Sequence, residues 1–202
     1  IGGIGLSAIA RVLLERGHII SGSDLHLSPV ARELARQGAT VYEGHAAEHV
    51  GDADLVVVSS AIPPHNPERL AARQRGIPVV KRHWLLERLT AGTTCIAVAG
   101  THGKTTTSAM IAWTLVQAGL DPTFIVGGVV QNLGTNARSG QGDVFVIEAD
   151  EYDYTFLSLH PRIAVVTHLE HDHPDCYPTF REMRAAFREF VELVPEGGLV
   201  VG

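Results

Sequence analysis

Short apolar runs alternate with amphipathic segments along the whole of this 202-residue chain. Several apolar runs are continuous, as at residues 55–58 and 163–166, which is typical of strands that helices cover on both faces. The pattern predicts strands at residues 18–21, 39–42, 55–59, 78–80, 94–99, 123–126, 144–148, 163–167 and 199–201. It predicts helices at residues 6–16, 29–37, 67–75, 84–90, 105–118 and 180–193. This alternation indicates α/β units on a mainly parallel sheet.

Residues 90–93 mark a predicted domain boundary. A complete set of small strand–helix units precedes them, and a new strand with a second glycine-rich loop follows them. We therefore expect two domains, 1–92 and 93–202. The chain opens at Ile1, without Met, directly in a glycine-rich loop, and it stops at a predicted strand. We expect it to be a segment of a longer protein that lacks the strand before its first loop.

The composition is that of an ordinary soluble globular protein, with 45% hydrophobic and 19% charged residues. A formal net charge of −6 disfavours a broad nucleic-acid or anionic-membrane surface, but it permits a local cationic site. No apolar run approaches the roughly 18 residues that a membrane-spanning helix needs. Two cysteines, Cys95 and Cys176, are too few for a disulfide framework. We therefore expect a cytoplasmic protein without nucleic-acid or membrane partners.

The first glycine-rich loop, residues 2–5, opens the first predicted helix. Such a loop lets the backbone approach a phosphate, which the N–H groups at the helix start then bind. Asp24 follows a predicted strand about twenty residues later, at the distance where an acid often binds a ribose or a base edge. Ser59 and Ser60 lie just past the apolar run 55–58 of another predicted strand, where ligands commonly bind. The alternative is a tight turn, a surface acid and a turn into Pro63, and this loop alone does not decide between them.

The second glycine-rich loop, residues 100–106, lies between a predicted strand and a predicted helix, as a phosphate-binding loop requires. Its backbone N–H groups can surround phosphates, Lys104 can neutralise the β- and γ-phosphate oxygens, and the hydroxyl of Thr105 can bind Mg²⁺. The sequence departs from the general phosphate-loop pattern, since Val98 stands where that pattern has its first glycine. The loop is thus a shorter Gly-x-x-Gly-Lys-Thr form.

Two acidic clusters, residues 148–153 and 170–175, follow predicted strands and are expected at the same sheet edge as the second loop. Carboxylates there suit Mg²⁺, which prefers oxygen ligands, and His173 as a nitrogen ligand is also compatible with Mn²⁺. His168, His171 and His173 together offer zinc as an alternative, although no cysteine pair supports it. Helix capping and solvation of loops by the acids are the structural alternative.

Taken in order along the chain, these motifs resemble those of the Mur ligases. The resemblance covers nearly the whole chain. It is carried by Gly-Gly-Ile-Gly-Leu-Ser at 2–7, Ser-Gly-Ser-Asp at 21–24, Ser-Ser-Ala-Ile at 59–62, Asn-Pro-Glu at 66–68, Gly-Thr-His-Gly-Lys-Thr-Thr at 100–106, Glu-Ala-Asp-Glu at 148–151 and Asp-His at 172–173.

The family resemblance implies a three-domain enzyme. Residues 1–92 resemble its Rossmann-like UDP-sugar-binding domain, and residues 93–202 resemble the N-terminal part of its central, P-loop-type ATPase α/β domain. The C-terminal domain, which binds the amino acid, has no counterpart in the chain. We therefore expect little ligase activity from this chain by itself.

The resemblance also assigns expected roles to individual residues. The expected substrate-binding residues are Gly3, Gly5, Ser7, Asp24, Ser59, Ser60, Ala61, Asn136 and Arg138, of which the last two are expected to face the muramoyl carboxylate. The expected ATP-binding residues are Gly100, Thr101, His102, Gly103, Lys104, Thr105 and Thr106. Lys104 and His102 are the expected catalytic residues. The expected ligands of Mg²⁺, or alternatively of Mn²⁺, are Thr105, Glu148 and His173.

The implied reaction belongs to peptidoglycan precursor synthesis. The carboxylate of UDP-N-acetylmuramate attacks the γ-phosphate of ATP, and the amine of L-alanine then attacks the acyl phosphate. His102 resembles the alanine-adding branch of the family, since sister ligases tend to carry Asn there. Two alternatives stay open: a ligase that attaches recycled peptides to UDP-N-acetylmuramate, and a non-catalytic module that binds a UDP-sugar or a nucleotide. A dehydrogenase is disfavoured, because it leaves the second glycine-rich loop without a role.

Overall fold

The computed structural model describes all 202 residues, which separate into two compact units, Ile1–Arg82 and His83–Gly202. Both units combine helices with parallel strands, which confirms the predicted α/β class. None of the helices has both the length and the apolar character that crossing a bilayer requires. In chain order the elements are α1 (Ile4–Glu15), β1 (Ser21–Asp24), α2 (Pro29–Arg36), β2 (Thr40–Glu43), a first 3₁₀ helix (Ala47–Val50), β3 (Val56–Val58), α3 (Pro67–Gln74), β4 (Val79–Lys81), α4 (Arg82–Thr90), β5 (Thr94–Ala99), α5 (Lys104–Gln117), β6 (Thr123–Val130), β7 (Thr135–Arg138), β8 (Val144–Glu148), a second 3₁₀ helix (Tyr152–Ser158), β9 (Ile163–Val166), α6 (Phe180–Glu192) and β10 (Leu199–Val201).

The first unit contains two separate pairs of parallel strands. β1 pairs with β2, with Ser21 opposite Thr40, and β3 pairs with β4, with Val56 opposite Val79. One apolar cluster joins α1 and α2 to β2, and a second joins the first 3₁₀ helix and α3 to β3 and β4. The buried members of these clusters are Ala10, Leu34 and Ala39 in the first and Val50, Ala71 and Ala72 in the second.

The first strand begins at Ser21, at the end of the predicted segment 18–21. Parallel pairing starts where the N–H of Thr40 donates to the carbonyl of Ile20 at 2.9 Å, whereas the side chain of Ile19 is fully exposed. A Cβ on Gly22 would lie 2.8 Å from the side chain of Ile1, so only glycine fits there without a shift. Small polar residues have low β propensity, and the apolar pattern therefore placed this strand too early.

The second unit is built on a six-stranded sheet with the order β10-β9-β5-β8-β6-β7. All neighbouring strands are parallel except β6 and β7, which are antiparallel. The central strand β5 is buried from residue 95 to residue 99, as its continuous apolar sequence predicts. α5 packs on the sheet through Ala112, against a core that includes Ile96, Phe124, Val126 and Val146.

The edge strand β7 and the second half of β6 were not predicted. β7 has the sequence Thr-Asn-Ala-Arg and pairs with β6 so that Thr135 lies opposite Val130 and Arg138 lies opposite Phe124. Gly127 and Gly128 interrupt the apolar pattern of β6, and the register shifts across them. Polar edge strands lack the apolar signal of central strands, so backbone pairing rather than composition defines this one.

The carboxyl ends of β5, β8 and β9 lie at one edge of the sheet, because these three strands are adjacent and parallel. Residues 100–103, 149–151 and 167–170 follow them directly. Ligands of open α/β sheets bind outside this edge. The second glycine-rich loop and both acidic clusters are thus brought together by the topology.

Candidate functional site

The loop between β5 and α5 is shaped by two glycines in the left-handed region. Gly100 has φ +135° and Gly103, the residue that precedes the helix, has φ +82°. A Cβ on Gly100 would collide with the Oγ1 of Thr167 and lie 2.9 Å from the carbonyl oxygen of His168. The loop therefore approaches the end of β9 so closely that a side chain at residue 100 would clash with it. It presents the N-terminus of a 14-residue helix with no acid in its first turn, an environment that favours an anion.

Thr101 and Thr167 fasten this loop to β9. The N–H of Thr101 donates to the carbonyl of His168 at 2.8 Å, and its hydroxyl accepts the N–H of Glu170 at 3.2 Å. The hydroxyl of Thr167 lies 2.5 Å from the carbonyl oxygen of His102, to which it donates. The side chain of Thr101 thus serves the loop's structure, whereas that of Thr106 is exposed on the first turn of α5.

Lys104 points toward its own loop and toward the acidic segment after β8. Its Nζ donates to the carbonyl of Gly100 at 2.5 Å and to the Oε1 of Glu151 at 2.8 Å. Glu151 is fully buried, and Lys104 is 15% exposed. The sequence motif 148–151 includes Glu151, but nothing in the motif indicated that its carboxylate pairs with this lysine.

Thr105 and Glu148 form the second contact across the sheet edge. The hydroxyl of Thr105 donates to the Oε1 of Glu148 at 3.2 Å, and the N–H of Gly127 donates to Oε2 at 2.7 Å. A hydroxyl and a carboxylate are hard oxygen donors, and Mg²⁺ commonly takes only one or two protein ligands beside water and phosphate. The pair therefore fits the magnesium site that the sequence predicts.

His173, the third expected metal ligand, lies against other residues. Its Nε2 is 3.5 Å from the Oε1 of Glu151 and 3.7 Å from the Oδ2 of Asp172, and its ring meets that of Tyr152 edge-on at 5.3 Å. No group of three or more His, Cys, Asp or Glu residues is arranged to hold a metal ion. Thr105 and Glu148 thus contact each other, whereas the contacts of His173 are with Glu151, Asp172 and Tyr152.

The histidines considered for zinc also have separate partners. His168 lies 3.7 Å from Glu170, and the ring of His171 lies 2.8 Å from the carbonyl of Tyr177. His173 lies against Glu151, as described above. These contacts do not assemble the tetrahedral set that zinc requires, and the zinc alternative gains no support.

His102 extends from the loop toward solvent and pairs with Glu170. Its Nε2 lies 2.5 Å from the Oε1 of Glu170, and its ring is stacked on that of His168 with centroids 5.9 Å apart. The hydrogen bond with His102 holds the pKa of Glu170 below its usual range. The sequence motif indicates a role for His102 but does not indicate that Glu170 is its partner.

In the first unit, Asp24 closes the first glycine-rich loop. Its Oδ2 accepts the N–H of Gly2 at 2.8 Å. Burial alone raises the pKa of Asp24, but hydrogen bonds from the backbone of Gly2 and the charge of the Ile1 ammonium outweigh it, so that the pKa lies below its ordinary value. Gly3 directly precedes α1, and Ser7 is buried with its hydroxyl donating to the carbonyl of Ile4 at 3.0 Å.

The other expected substrate-binding residues lie at two further places. Ser59 follows β3, and its hydroxyl accepts the N–H of Ala61 at 3.2 Å, while Ser60 and Ala61 are exposed. Gly5, in the first turn of α1, lies near a guanidinium nitrogen of Arg82, which would be 3.0 Å from an added Cβ. Small exposed groups and a nearby cation are compatible with an anionic ligand.

Asn136 and Arg138 both lie on β7 but at different heights of the sheet, since Asn136 follows Thr135, which is opposite Val130 at the carboxyl end of β6. Arg138 is opposite Phe124, near the start of β6, and Phe124 is in turn opposite Val146, two residues before Glu148 in β8. The guanidinium of Arg138 donates to the Oδ1 of Asp121 at 2.8 Å. The structure thus does not bring Arg138 to the residues that surround Lys104, because antiparallel pairing with β6 carries the end of β7 away from the carboxyl end of β6.

Two family models match the chain in succession. The model described as "Mur ligase family, catalytic domain" matches residues 1–94, and the model described as "Mur ligase middle domain" matches residues 98–202.

Curated relatives match the chain over its entire length. The UDP-N-acetylmuramate–L-alanine ligase of Rubrobacter xylanophilus is 52% identical over 202 residues, which are 100% of this chain and 45% of the relative. The enzyme of the same name from Aquifex aeolicus is 48% identical over 201 residues, which are 44% of its length. The chain thus spans less than half the length of these relatives.

Solved structures share the fold. The UDP-N-acetylmuramate:L-alanyl-γ-D-glutamyl-meso-diaminopimelate ligase of Neisseria meningitides superposes with a TM-score of 0.91 at 35% identity, over 99% of this chain and 68% of that one. The UDP-N-acetylmuramate–alanine ligase of Thermotoga maritima superposes with a TM-score of 0.88 at 32% identity, over 96% of this chain and 46% of that one.

Proposed function

The chain belongs to the Mur ligase family, and we propose that it carries the UDP-sugar-binding and ATP-binding parts of a ligase that joins L-alanine to UDP-N-acetylmuramate. One observation carries the proposal: the loop of Lys104 and the Thr105–Glu148 pair meet at the carboxyl edge of a parallel sheet. Such an edge is where a nucleoside triphosphate and its cation bind together. The function lies in peptidoglycan precursor synthesis, and the two free cysteines agree with a cytoplasmic setting.

Each of the two domains, residues 1–92 and 93–202, binds one of the two nucleotide-containing substrates in this proposal. In residues 93–202, the backbone N–H groups of the loop and the ammonium of Lys104 bind the phosphates of ATP. Thr105 and Glu148 hold Mg²⁺, which supplies neutralisation of the phosphate charge when it is bound. His173, whose Nε2 lies 3.5 Å from the Oε1 of Glu151, is the third proposed ligand.

The proposed reaction has two balanced steps. A carboxylate oxygen of UDP-N-acetylmuramate bonds to the γ-phosphorus of ATP as the bond from that phosphorus to the β–γ bridging oxygen breaks, and ADP leaves. The amine of L-alanine then bonds to the acyl carbon, loses a proton, and displaces phosphate. Because phosphoryl transfer depends on positioning and charge neutralisation, Lys104 contributes by holding the phosphoryl oxygens in place. His102, fixed by Glu170, stands at the outer side of the same loop.

In residues 1–92, the first glycine-rich loop and the residues after β3 bind the UDP group in this proposal. Gly3 and Gly5 leave the start of α1 open to a diphosphate, as small residues and a helix N-terminus allow. Asp24 holds the loop in place by accepting the N–H of Gly2. It is also the expected partner of the ribose or the uracil. Ser59 and Ser60 offer hydroxyls at the end of β3.

A second candidate function is the attachment of a peptide, instead of L-alanine, to the same carboxylate. It is favoured by the Neisseria structure, whose name states a tripeptide substrate. The two functions differ in the amine acceptor alone. The full-length protein from the same reading frame, assayed for product with L-alanine and with L-alanyl-γ-D-glutamyl-meso-diaminopimelate, separates them, since only the true acceptor yields a ligated UDP-sugar.

Isothermal titration of the 202-residue chain tests the binding part of the proposal. We expect one site for a non-hydrolysable ATP analogue in the presence of Mg²⁺ and one site for UDP-N-acetylmuramate. A chain that binds the UDP-sugar but ignores the ATP analogue is the non-catalytic module instead. Failure to bind either ligand contradicts the proposal as a whole.

A further inference from the structure

We propose that Glu151 is the residue that positions the ammonium group of Lys104 for phosphate binding. This inference rests on the proposed ATP site and adds to it a buried carboxylate outside the expected ligand set. Glu151 acts through Lys104, so it is a positioning residue that touches neither the nucleotide nor the reacting atoms.

The direction of the Lys104 ammonium is fixed by two acceptors. Its Nζ lies 2.5 Å from the carbonyl oxygen of Gly100 and 2.8 Å from the Oε1 of Glu151. An ammonium group has three N–H donors, so these two contacts leave one donor for a phosphoryl oxygen. A lysine on four rotatable bonds is otherwise flexible, and two fixed acceptors remove most of that freedom before a ligand arrives.

Glu151 itself is anchored through its main chain and buried. Its backbone carbonyl accepts the hydroxyl of the buried Tyr177 at 2.5 Å and the N–H of Tyr154 at 3.1 Å. The side chain of Glu151 is 1% exposed and thus shielded from solvent. A fixed acceptor of opposite charge is the kind of group that can hold a lysine in one orientation.

The second carboxylate oxygen of Glu151 indicates that the residue positions Lys104 and does not mainly stabilise the fold. Oε2 of Glu151 is buried and has no hydrogen-bond partner. An unsatisfied buried oxygen is costly, and a buried ion pair often contributes little net stability. The ion pair of Lys104 and Glu151 is therefore expected to add little to the free energy of unfolding. Its Oε1 lies instead within reach of two functional side chains, Lys104 at 2.8 Å and His173 at 3.5 Å.

The chain permits a direct observation of the lysine, because Lys81 and Lys104 are its only lysines. A ¹⁵N-lysine-labelled chain gives two ammonium signals in nuclear magnetic resonance spectra, and Lys81→Arg assigns them. We expect Glu151→Gln to speed solvent exchange of the Lys104 ammonium by about tenfold and to shift its resonance, since a neutral amide holds the ammonium less strongly. Glu189→Gln, which removes the same charge from the exposed face of α6, leaves both signals in place.

Nucleotide titration supplies the second readout. We expect Glu151→Gln to weaken binding of a non-hydrolysable ATP analogue about tenfold, the loss of roughly one charge-assisted hydrogen bond, and to leave AMP binding unchanged. Glu151→Asp keeps the charge with one methylene fewer and recovers part of the affinity. It also serves in place of the glutamine variant if circular dichroism shows that the latter does not fold.

The outcomes separate this inference from the proposed function. If the unaltered chain binds no ATP analogue, the proposed function fails, while the ammonium spectra still decide whether Glu151 positions Lys104. If the Lys104 signal and the analogue affinity are the same in the folded Glu151 variants as in the unaltered chain, the inference is wrong.

Discussion

The hydroxyl of Thr105 donates to the carboxylate of Glu148 across 3.2 Å and thereby joins the first turn of α5 to the carboxyl end of β8. The two side chains come from segments that are far apart in sequence, and only the parallel pairing of β5 with β8 brings them together. Both offer oxygen atoms to the same point, which is the minimal requirement for a magnesium site that also uses phosphate and water.

Thr105→Val tests this pair, because valine keeps the shape of threonine and removes its oxygen. We expect affinity for an ATP analogue with Mg²⁺ to fall about tenfold, a typical loss for a metal-site residue, and affinity without Mg²⁺ to stay the same. Isothermal titration with and without the cation measures both. Thr114→Val, on the exposed part of the same helix, is the matched control. An unchanged effect of Mg²⁺ in Thr105→Val contradicts the assignment.

Lys104→Met tests the phosphate contact. Removal of a charge-assisted hydrogen bond of about 1.5–3 kcal/mol lowers affinity for an ATP analogue by roughly ten- to a hundredfold. Because the proposed role of the lysine includes stabilising charge during phosphoryl transfer, we expect Lys104→Ala to reduce turnover of the proposed full-length ligase by orders of magnitude. Lys81→Met removes the only other lysine and serves as the control in titrations. Near-normal affinity and turnover without Lys104 exclude its proposed role.

Gly100→Ala tests the close approach of the loop to β9. The added Cβ collides with Thr167 and lies 2.9 Å from the carbonyl of His168, at φ +135°. Strain and overpacking together lower the free energy of unfolding by about 2–5 kcal/mol. Gly119→Ala has φ +75° in open space, so it suffers only the conformational penalty of about 1–2 kcal/mol. Urea denaturation compares the two, and equal losses mean that the approach is not tight.

Cys95 gives a pH-dependent prediction. The thiol is fully buried in β5, and burial raises its pKa from the ordinary value of 9.0 to about 12. In the unfolded chain the thiol ionises near 9.0, whereas in the folded chain it keeps its proton, so stability is lost as pH rises above that value. The loss is up to about 1.4 kcal/mol per pH unit within this window.

The measurement for this prediction is the difference in unfolding free energy between the unaltered chain and Cys95→Ala, at about pH 8 and about pH 10. The unaltered chain is expected to be the more stable at the lower pH, through better packing, and to lose that advantage at the higher pH. Cys176→Ala, at the partly exposed thiol, shows whether removal of any thiol has this effect. A difference that is constant with pH for Cys95→Ala rules out the linkage.

Much of the fold was predictable from the sequence, because most elements follow strong local patterns. Helices such as α2 and α3 begin at Pro29 and Pro67 after capping residues, and both were placed at their observed start. Continuous apolar runs placed β5 and β8 correctly. β7 was missed because a polar edge strand is defined by its neighbour and carries no periodic signal of its own.

The sequence was sufficient to predict where the candidate site lies, but not which side chains pair with each other there. The rule that ligands bind at the carboxyl ends of parallel strands was sufficient to bring the loop of Lys104 and the motif of Glu148 to one edge. Which acid each cation would contact depends on side-chain directions beyond the strand ends. For that reason the pairings of Lys104 with Glu151 and of Arg138 with Asp121 became apparent only in three dimensions.

The central position of β5 also governs how the second unit forms. Its partners β8 and β9 come much later in the chain, with Ile96 opposite Val146 on one side and Ile163 on the other. Long loops must therefore close before the middle strand gains either neighbour, which raises the contact order and slows folding. During synthesis the loop of Lys104 leaves the ribosome well before the strands that hold its partners. Up to that point an apolar strand stays unpaired and exposed to aggregation.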